Sequence, residues 1–423
     1  MAHLREVADG VLVGTSRFMV TNTVVVAAGR RALVVDPGVH VDELEAIAVD
    51  LLRARLELEA GFATHAHWDH VLWHDALGDV PRWATPGTVQ EAATRRVELA
   101  EEAEAVTPID LERFGILRPV GDAVPWTGPA AVVVTHDAHA PAHAALHLPE
   151  LGLLVAGDLG SDVEVPLLTH GVPGPEALLA HHTGLDRLAA LSPVDLVVPG
   201  HGHPCDGAMW RRRLDADRRY LDALAAGDDP DDPRVVEPWL VEAERAMQAT
   251  LTKAAWRRWA RHLPPPAGIA HVQAGLRTFL GPAPGLVGAY EALPGEVDLT
   301  GALIDLDATV ALARIDGDTV SWHVDDGTGE VHPHGMRQPL ADAPVVAPAE
   351  IDVLLVPGRL FDRRGIRLGR GGGHYDRLLP HLRPGVPAIG VTVEERVVPR
   401  LPTERHDAPM THLATRAGVS PVA

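Results

Sequence analysis

Short apolar runs that stop abruptly in polar residues alternate along this chain with amphipathic stretches. In the opening third, "NTVVVAAG" and "RRALVVDPGVH" read as strands, the second ending in an Asp-Pro-Gly turn. Between the turn and the next apolar run, "VDELEAIAVDLLRARL" repeats its apolar positions at helical spacing. Three later runs, "AAVVVTHDAH", "LGLLVAGD" and "VDLVVPGHGH", also break off in polar residues, which predicts an α/β layered domain whose strand ends carry chemistry. From about residue 208 the pattern becomes charged helix, "MWRRRLDADRRYLDALAAG", followed by "DDPDDPRV", an acidic loop or linker. A second helical stretch is predicted over 237–263, ending at "LPPPAG". Strand candidates then resume with "GLVGAY", "TVALARI", "TVSWHV", "IDVLLVPG" and "VPAIGVTV". The shift places a domain boundary near residue 248, giving domains 1–248 and 249–423.

Composition narrows the function classes. A chain of 423 residues with a formal net charge of −21 disfavours nonspecific binding to nucleic acid or an anionic membrane, both of which require a basic surface. No apolar run approaches a membrane span, and "MAHLREVADG" lacks the regions of a secretory signal, so the expectation is a soluble cytoplasmic protein. One cysteine, Cys205, excludes an internal disulfide framework. Of the 37 lysines and arginines only Lys253 is a lysine, which marks that position for explanation. Lysine offers a compact, movable point charge that arginine's rigid fork does not reproduce.

The segment "THAHWDH" concentrates His65, His67, Asp69 and His70 on one turn. Imidazole and carboxylate are suitable zinc ligands, and His139, Asp158 and His201 each follow a further apolar strand. In order and spacing these residues resemble the metallo-β-lactamase superfamily over roughly residues 1–207, and "VVDPG" at 34–38 resembles its early strand and turn. The resemblance implies an αββα sandwich and two metal ions, Zn²⁺ or another divalent metal. One would sit on His65, His67 and His139, the other on Asp69, His70 and His201, with Asp158 between them. Asp69 would also orient the attacking water in metal-assisted hydrolysis. The usual "GHTPGH" stands here as "AHAPAH", with Ala138 and Ala142 in place of glycines, which puts the loop shape in question. His74, His136, His143, His147 and His203 are expected to be supporting or structural, and Cys205 a small bystander. The first 219 residues hold neither lysine nor tyrosine. A small ester, thioester or lactam-like substrate is the extent of the reading.

In "RLFDRRGIRLGRGGGHYDRLL", Gly369, Gly371, Gly372 and Gly373 are interleaved with Arg367 and Arg370. Successive backbone N–H groups of such a loop form an anion cradle, and guanidiniums add charge. The segment is neither a Walker loop nor a dinucleotide fingerprint. It resembles 5-formyltetrahydrofolate cyclo-ligase, with further likeness in "YEALPGEVDL", "LPTERHDAPMTHLAT" and "KAAWR". That resemblance covers about 249–423 and implies a three-layer α/β domain. By it, Lys253 and Arg257 would contact ATP phosphates. Arg367, Arg370, the loop 369–373, His374 and Tyr375 would complete the nucleotide and folate pocket, Arg367 and Tyr375 being catalytic. Glu291 and Glu296 would hold the reduced folate, and Asp376 with Asp407 would hold Mg²⁺. The implied reaction converts 5-formyltetrahydrofolate to 5,10-methenyltetrahydrofolate. His374 replaces the family's first tyrosine, and Gln338 a commonly seen glutamate.

Two readings follow: a bifunctional ligase and hydrolase, or a chain in which only one half is catalytic and the other binds or positions. The partners expected are small molecules, with no nucleic acid and no membrane.

Overall fold

The computed structural model of the protein describes residues 3–304, 306–317, 319–333 and 335–422. The chain divides into two compact units, Met1–Leu224 with Asp229–Thr250, and Ala225–Asp228 with Leu251–Ala423.

The first unit is built on two sheets. In the seven-stranded sheet the strands lie in chain order. Arg5–Ala8, Val11–Thr15, Asn22–Ala28 and Arg31–Val35 are antiparallel, after which Glu57–Phe62, Arg82–Ala84 and Arg118–Pro119 add in parallel. The five-stranded sheet runs Cys205–Asp206, Leu196–Pro199, Leu153–Gly157, His143–Leu148, Val132–His136. Side chains alternate across a strand, and the valine run of Asn22–Ala28 uses both faces. Val24 and Val26 enter the core between the sheets with Leu146, Val155 and Val198. Val25 packs on the opposite face with Leu44, Ile47 and Leu51, the apolar stripe of helix Val41–Arg53. Helix Gly174–Ala189 lies against strand Val132–His136 of the second sheet, completing a helix–sheet–sheet–helix sandwich.

The second unit carries an eight-stranded sheet whose central strands, Gly285–Ala289, Val353–Pro357, Ala388–Val391 and His412–Thr415, are mutually parallel. Val353 and Leu355 face helix Ile269–Leu280 through Val272 and Leu276. Leu354 and Val356 face the other way, toward Phe361 and Leu378. A near-continuous apolar strand is what a sheet covered on both sides requires.

The helix expected over 237–263 is two helices, Pro238–Thr250 and Lys253–Trp259. Two threonines break it. The Thr250 hydroxyl donates back to the Met247 carbonyl at 2.7 Å, and the Thr252 hydroxyl accepts from the Ala255 amide at 3.2 Å, capping a new helix. The second helix stops at Trp259, short of the prolines that were expected to end it.

Candidate functional sites

In the first unit the strand ends deliver their polar residues to one place. The short turn Trp68–His70 follows strand Glu57–Phe62, His139 follows Val132–His136, Asp158 follows Leu153–Gly157, and His201 follows Leu196–Pro199. Donor atoms of His65, His67, His139 and Asp158 lie within 4.8 Å of one another, as do those of Asp69, His70 and His201. Asp158 joins the groups: one oxygen is 3.3 Å from His65 Nε2 and 3.2 Å from His139 Nε2, and the other is 3.3 Å from His70 Nε2. His201 Nε2 is 3.3 Å from Asp69 and 3.4 Å from His70 Nε2.

Neighbouring acceptors settle which nitrogen each ring presents. The Thr64 hydroxyl donates to Asp36 at 2.7 Å, so at 3.0 Å it accepts from His65 Nδ1. His70 Nδ1 donates to Asp36 at 3.0 Å, and His201 Nδ1 to the Met19 carbonyl at 3.0 Å. All three rings therefore turn Nε2 inward, and His65 Nε2 is buried without a hydrogen-bond partner. His67 uses Nδ1, 3.1 Å from His139 Nε2. Five inward imidazoles and two carboxylates in two adjoining groups form a donor set that fits a pair of divalent cations.

The electrostatics point the same way. Burial pushes His65 well below the ordinary histidine range and, with His139 beside it, takes His67 down to about 3. Burial also opposes protonation of His70 and His201, but Asp158 and the other carboxylates around them outweigh it and raise both. Against the same burial, the surrounding histidines pull Asp69 down to about 2 and Asp158 well below its usual value. The carboxylates are thus held ionised, balanced by protons on His70 and His201 that a bound cation would displace.

The "AHAPAH" loop keeps its shape at a cost. Ala142 takes φ 52° and His139 φ 66°, left-handed values that favour glycine, whereas Ala138 is not among the positive-φ residues. Thr85 and Thr88 hydroxyls donate to the Ala142 carbonyl at 2.7 and 3.0 Å, and Asp137 accepts the Ala142 amide at 2.9 Å. The added methyls are met by glycines: a Cβ on Gly87 would stand 2.4 Å from that of Ala142, and one on Gly184 2.6 Å from that of Ala138. The glycine has in effect moved across the contact.

The remaining histidines disperse. His143 Nδ1 donates to the Ala138 carbonyl at 3.0 Å, with its ring 4.6 Å from that of His65. His147 faces the Pro193 carbonyl, His74 caps the turn Asp75–Leu77, and exposed His203 pairs with Asp162. Sequence reasoning missed Asp36 and Glu164 as partners of the cluster, and His181, fully buried beside it. Asp36 had a signal, since "VVDPG" ends an apolar strand in a carboxylate as the ligand segments do. Glu164 and His181 had none.

The second unit encloses a cavity of about 760 Å³. Lys253, Arg257, Arg367, Arg370, the loop Gly369–Gly373, His374 and Tyr375 all line it, as do Glu291, Glu296, Asp376 and Asp407. Segments separated by more than a hundred residues thus meet at one surface. Most cations here are matched with acids. Lys253 Nζ bonds both oxygens of Asp407 at 2.7 and 2.9 Å, Arg367 reaches Asp376 at 3.1 Å, and Arg370 reaches Glu296 at 3.2 Å. Glu291 pairs with Arg337 at 2.8 Å. Arg257, one helical turn after Lys253, bonds the Gly369 carbonyl at 3.1 Å and steadies the glycine loop, in which Gly371 has φ 112° and Gly373 φ 65°. Arg367 also lies 5.2 Å from the centre of the Tyr375 ring. Gln338 is buried away from these groups, accepting the Ile315 amide at 3.1 Å. Among the described residues Asp376 and Asp407 form no cluster of three metal donors. Two carboxylates fit magnesium only where a ligand's phosphate oxygens supply the rest of the shell.

Among the described residues no helix is long and apolar enough to cross a membrane.

Comparison with known proteins divides the chain likewise. Residues 16–201 match the model of the metallo-β-lactamase superfamily, and residues 314–416 that of the 5-formyltetrahydrofolate cyclo-ligase family. A 5-formyltetrahydrofolate cyclo-ligase of Mycolicibacterium smegmatis is 35% identical over 130 residues, 29% of this chain and 67% of that protein. Its Haemophilus influenzae counterpart is 38% identical over 79 residues, 18% of this chain and only 42% of that one. The hydroxyacylglutathione hydrolase of Ruegeria pomeroyi is 28% identical over 229 residues, 54% of this chain and 80% of that one. Among solved structures, 5,10-methenyltetrahydrofolate synthetase of Aquifex aeolicus is 27% identical with a TM-score of 0.35, covering 40% of this chain and 92% of that one.

Proposed function

We propose that both halves of the chain are catalytic: it belongs to the 5-formyltetrahydrofolate cyclo-ligase family through its C-terminal half, and its N-terminal half has the fold and family match of the metallo-β-lactamase superfamily. The C-terminal half converts 5-formyltetrahydrofolate to 5,10-methenyltetrahydrofolate with ATP and Mg²⁺. The N-terminal half is a dinuclear metallohydrolase of a small ester, thioester or lactam-like substrate.

For the ligase, the observation that carries the reading is the single cavity in which Lys253, Arg257, the glycine loop, Tyr375, Asp376 and Asp407 meet. ATP phosphorylates the formyl oxygen with release of ADP, N10 of the folate attacks the formyl carbon and gives up its proton, and the C–O bond breaks as inorganic phosphate leaves. The protein positions the partners and stabilises charge on the transferring group. Lys253 and Arg257 take the phosphates with the loop amides of 369–373. Glu291 and Glu296 hold the folate, and Arg367 and Tyr375 face the reacting groups. Asp407, bonded to Lys253, and Asp376, bonded to Arg367, would hold Mg²⁺ together with a ligand's phosphate oxygens, and the ion would neutralise charge on the transferring group.

For the hydrolase, the carrying observation is the pair of donor groups joined at Asp158. Two divalent cations, zinc in the first instance, would be held by those seven residues and would supply Lewis acidity and an activated water. Asp69 orients that water, and Thr64 and Asp36 hold the His65 and His70 rings in register. A thioester is favoured within the substrate class by the likeness to a hydroxyacylglutathione hydrolase.

The deciding experiment assays the full chain with 5-formyltetrahydrofolate and Mg-ATP, following the methenyl product beside Lys253→Ala, and measures metal per chain with hydrolysis of an acyl-thioester. Absence of methenyl product while ATP still binds would reduce the C-terminal half to a nucleotide-binding module. Fewer than two metal ions per chain would overturn the dinuclear reading.

A further inference from the structure

The superfamily match ends at residue 201, yet the metal centre is braced from beyond it. Asp158 is followed by a tight loop, Gly160 to Glu164, that ties two ligand-bearing segments together. Ser161 Oγ accepts the Val163 and Glu164 amides at 3.1 Å, and Asp162 accepts the His203 amide at 2.8 Å, joining the loop to the turn that carries His201. At the end of the loop Glu164 is half-buried, its Oε1 shut off from solvent with no hydrogen-bond partner and 3.4 Å from His201 Nδ1.

Two guanidiniums hold this strut: Arg213 donates to the Gly160 carbonyl at 3.4 Å and the His203 carbonyl at 2.8 Å and pairs with Asp162 at 3.2 Å, and Arg234 grips it from the other side. Arg234 Nη1 donates to the Ser161 carbonyl at 3.0 Å, the Glu164 carbonyl at 3.1 Å and Asp217 at 2.6 Å. Its Nε and Nη2 are forked onto Asp232 at 2.9 and 2.8 Å. Asp217 in turn accepts the Gly160 amide at 3.2 Å, so the loop is gripped at both ends. The arginine side chain is only 9% exposed and Asp217 only 2%. A charge buried this deeply on two loop carbonyls costs desolvation that a merely solubilising residue would not incur. A lysine could not serve these acceptors, since it lacks the planar fork.

We infer that Arg234 is a positioning residue of the metal centre: through the Gly160–Glu164 loop it holds Glu164 beside His201, so that the Asp69, His70 and His201 group is set for its cation by a segment outside the superfamily match. This rests on the metallohydrolase reading proposed above. Bonds on ligand-supporting groups typically change metal affinity by about 10- to 100-fold.

The test uses the full chain, titrating Zn²⁺ against a chromophoric chelator and recording the absorption spectrum of the Co²⁺-loaded protein. Arg234→Ala is expected to weaken one of the two ions by about 10- to 100-fold and leave the other near wild type, with an altered Co²⁺ spectrum. Free guanidinium should restore part of the loss. Should the alanine variant not fold, Arg234→Lys, which keeps the buried charge without the fork, is read the same way with a smaller shift. Two ions at wild-type affinity with an unchanged spectrum, or parallel loss of both ions, would overturn the positioning role whatever happens to the melting temperature. A wild-type chain that binds no metal would remove the metal-centre reading, and with it this inference.

Discussion

The two sites solve opposite problems with the same residue classes. In the N-terminal half, donors are crowded into two groups, each within 4.8 Å, most of them buried, and three of the five rings are pinned by an outward hydrogen bond. In the C-terminal half, charged groups are spread around a cavity of about 760 Å³, and most cations are bonded to an acid that would have to release them. Crowding like donors is costly unless a cation fills their centre, so the first site is organised before its ligand comes and is strongly biased toward metal. Pairing Lys253 with Asp407 keeps the second site electrically quiet and ready to exchange partners. A rigid site and an exchangeable one should therefore respond differently to the loss of one charge.

Removing Asp158 should have the largest effect. Asp158→Ala takes the shared carboxylate from both donor groups, and metal analysis should find fewer than two ions per chain with hydrolysis abolished, while methenyl formation stays at wild type. Retention of two ions would break the account of the centre. Lys253→Ala should reduce methenyl formation by about 10²- to 10³-fold, the usual cost of a lost preorganised charge contact, and leave metal content untouched. A loss of less than tenfold would mean that the lone lysine is dispensable to phosphate binding.

Proton linkage separates the sites more finely. His70 and His201 are raised above the ordinary histidine range, so in metal-free protein at pH 7 they hold protons that a cation must displace. Apparent zinc affinity should rise with pH from 6 to 8 by about tenfold per unit for each proton released. An affinity flat across that window would contradict the charge balance described for the cluster.

The smallest effect is the most specific. Gly87→Ala should destabilise the chain by on the order of 1–3 kcal/mol, because its methyl meets that of Ala142. Ala142→Gly should stabilise by about 1 kcal/mol by relieving a left-handed alanine. The double variant should recover most of the loss, and additive effects in a double-mutant cycle would show that the two positions do not share one contact.

How much was legible varied with the kind of residue. Both fold classes and every side chain that gathers in the first cluster could be read from the chain, because few side chains can bind a divalent cation and "THAHWDH" packs four of them into seven positions. Of the cavity residues, the glycine loop with its arginines and the lone Lys253 stood out by themselves, but the acids and Arg257 were legible only through a family resemblance, since a carboxylate or an arginine taken singly has many uses. Asp36, Glu164 and Arg234 were not assigned roles, and the break at Thr250–Thr252 was read as continuous helix.

The sequence by itself determined the layered α/β character, the two family likenesses and the side chains that gather as candidate metal donors, all of which depend on residue type, local spacing or a family pattern. Tertiary structure alone decided that Lys253 and Asp407, assigned separately to phosphate and magnesium, are bonded to each other. It also decided that the strained Ala142 is housed by Gly87, and that Arg234 grips a loop seventy residues earlier. Those pairings depend on which backbone segments come within a few ångströms, and side chains far apart in sequence carry no mark of the partner that folding will bring.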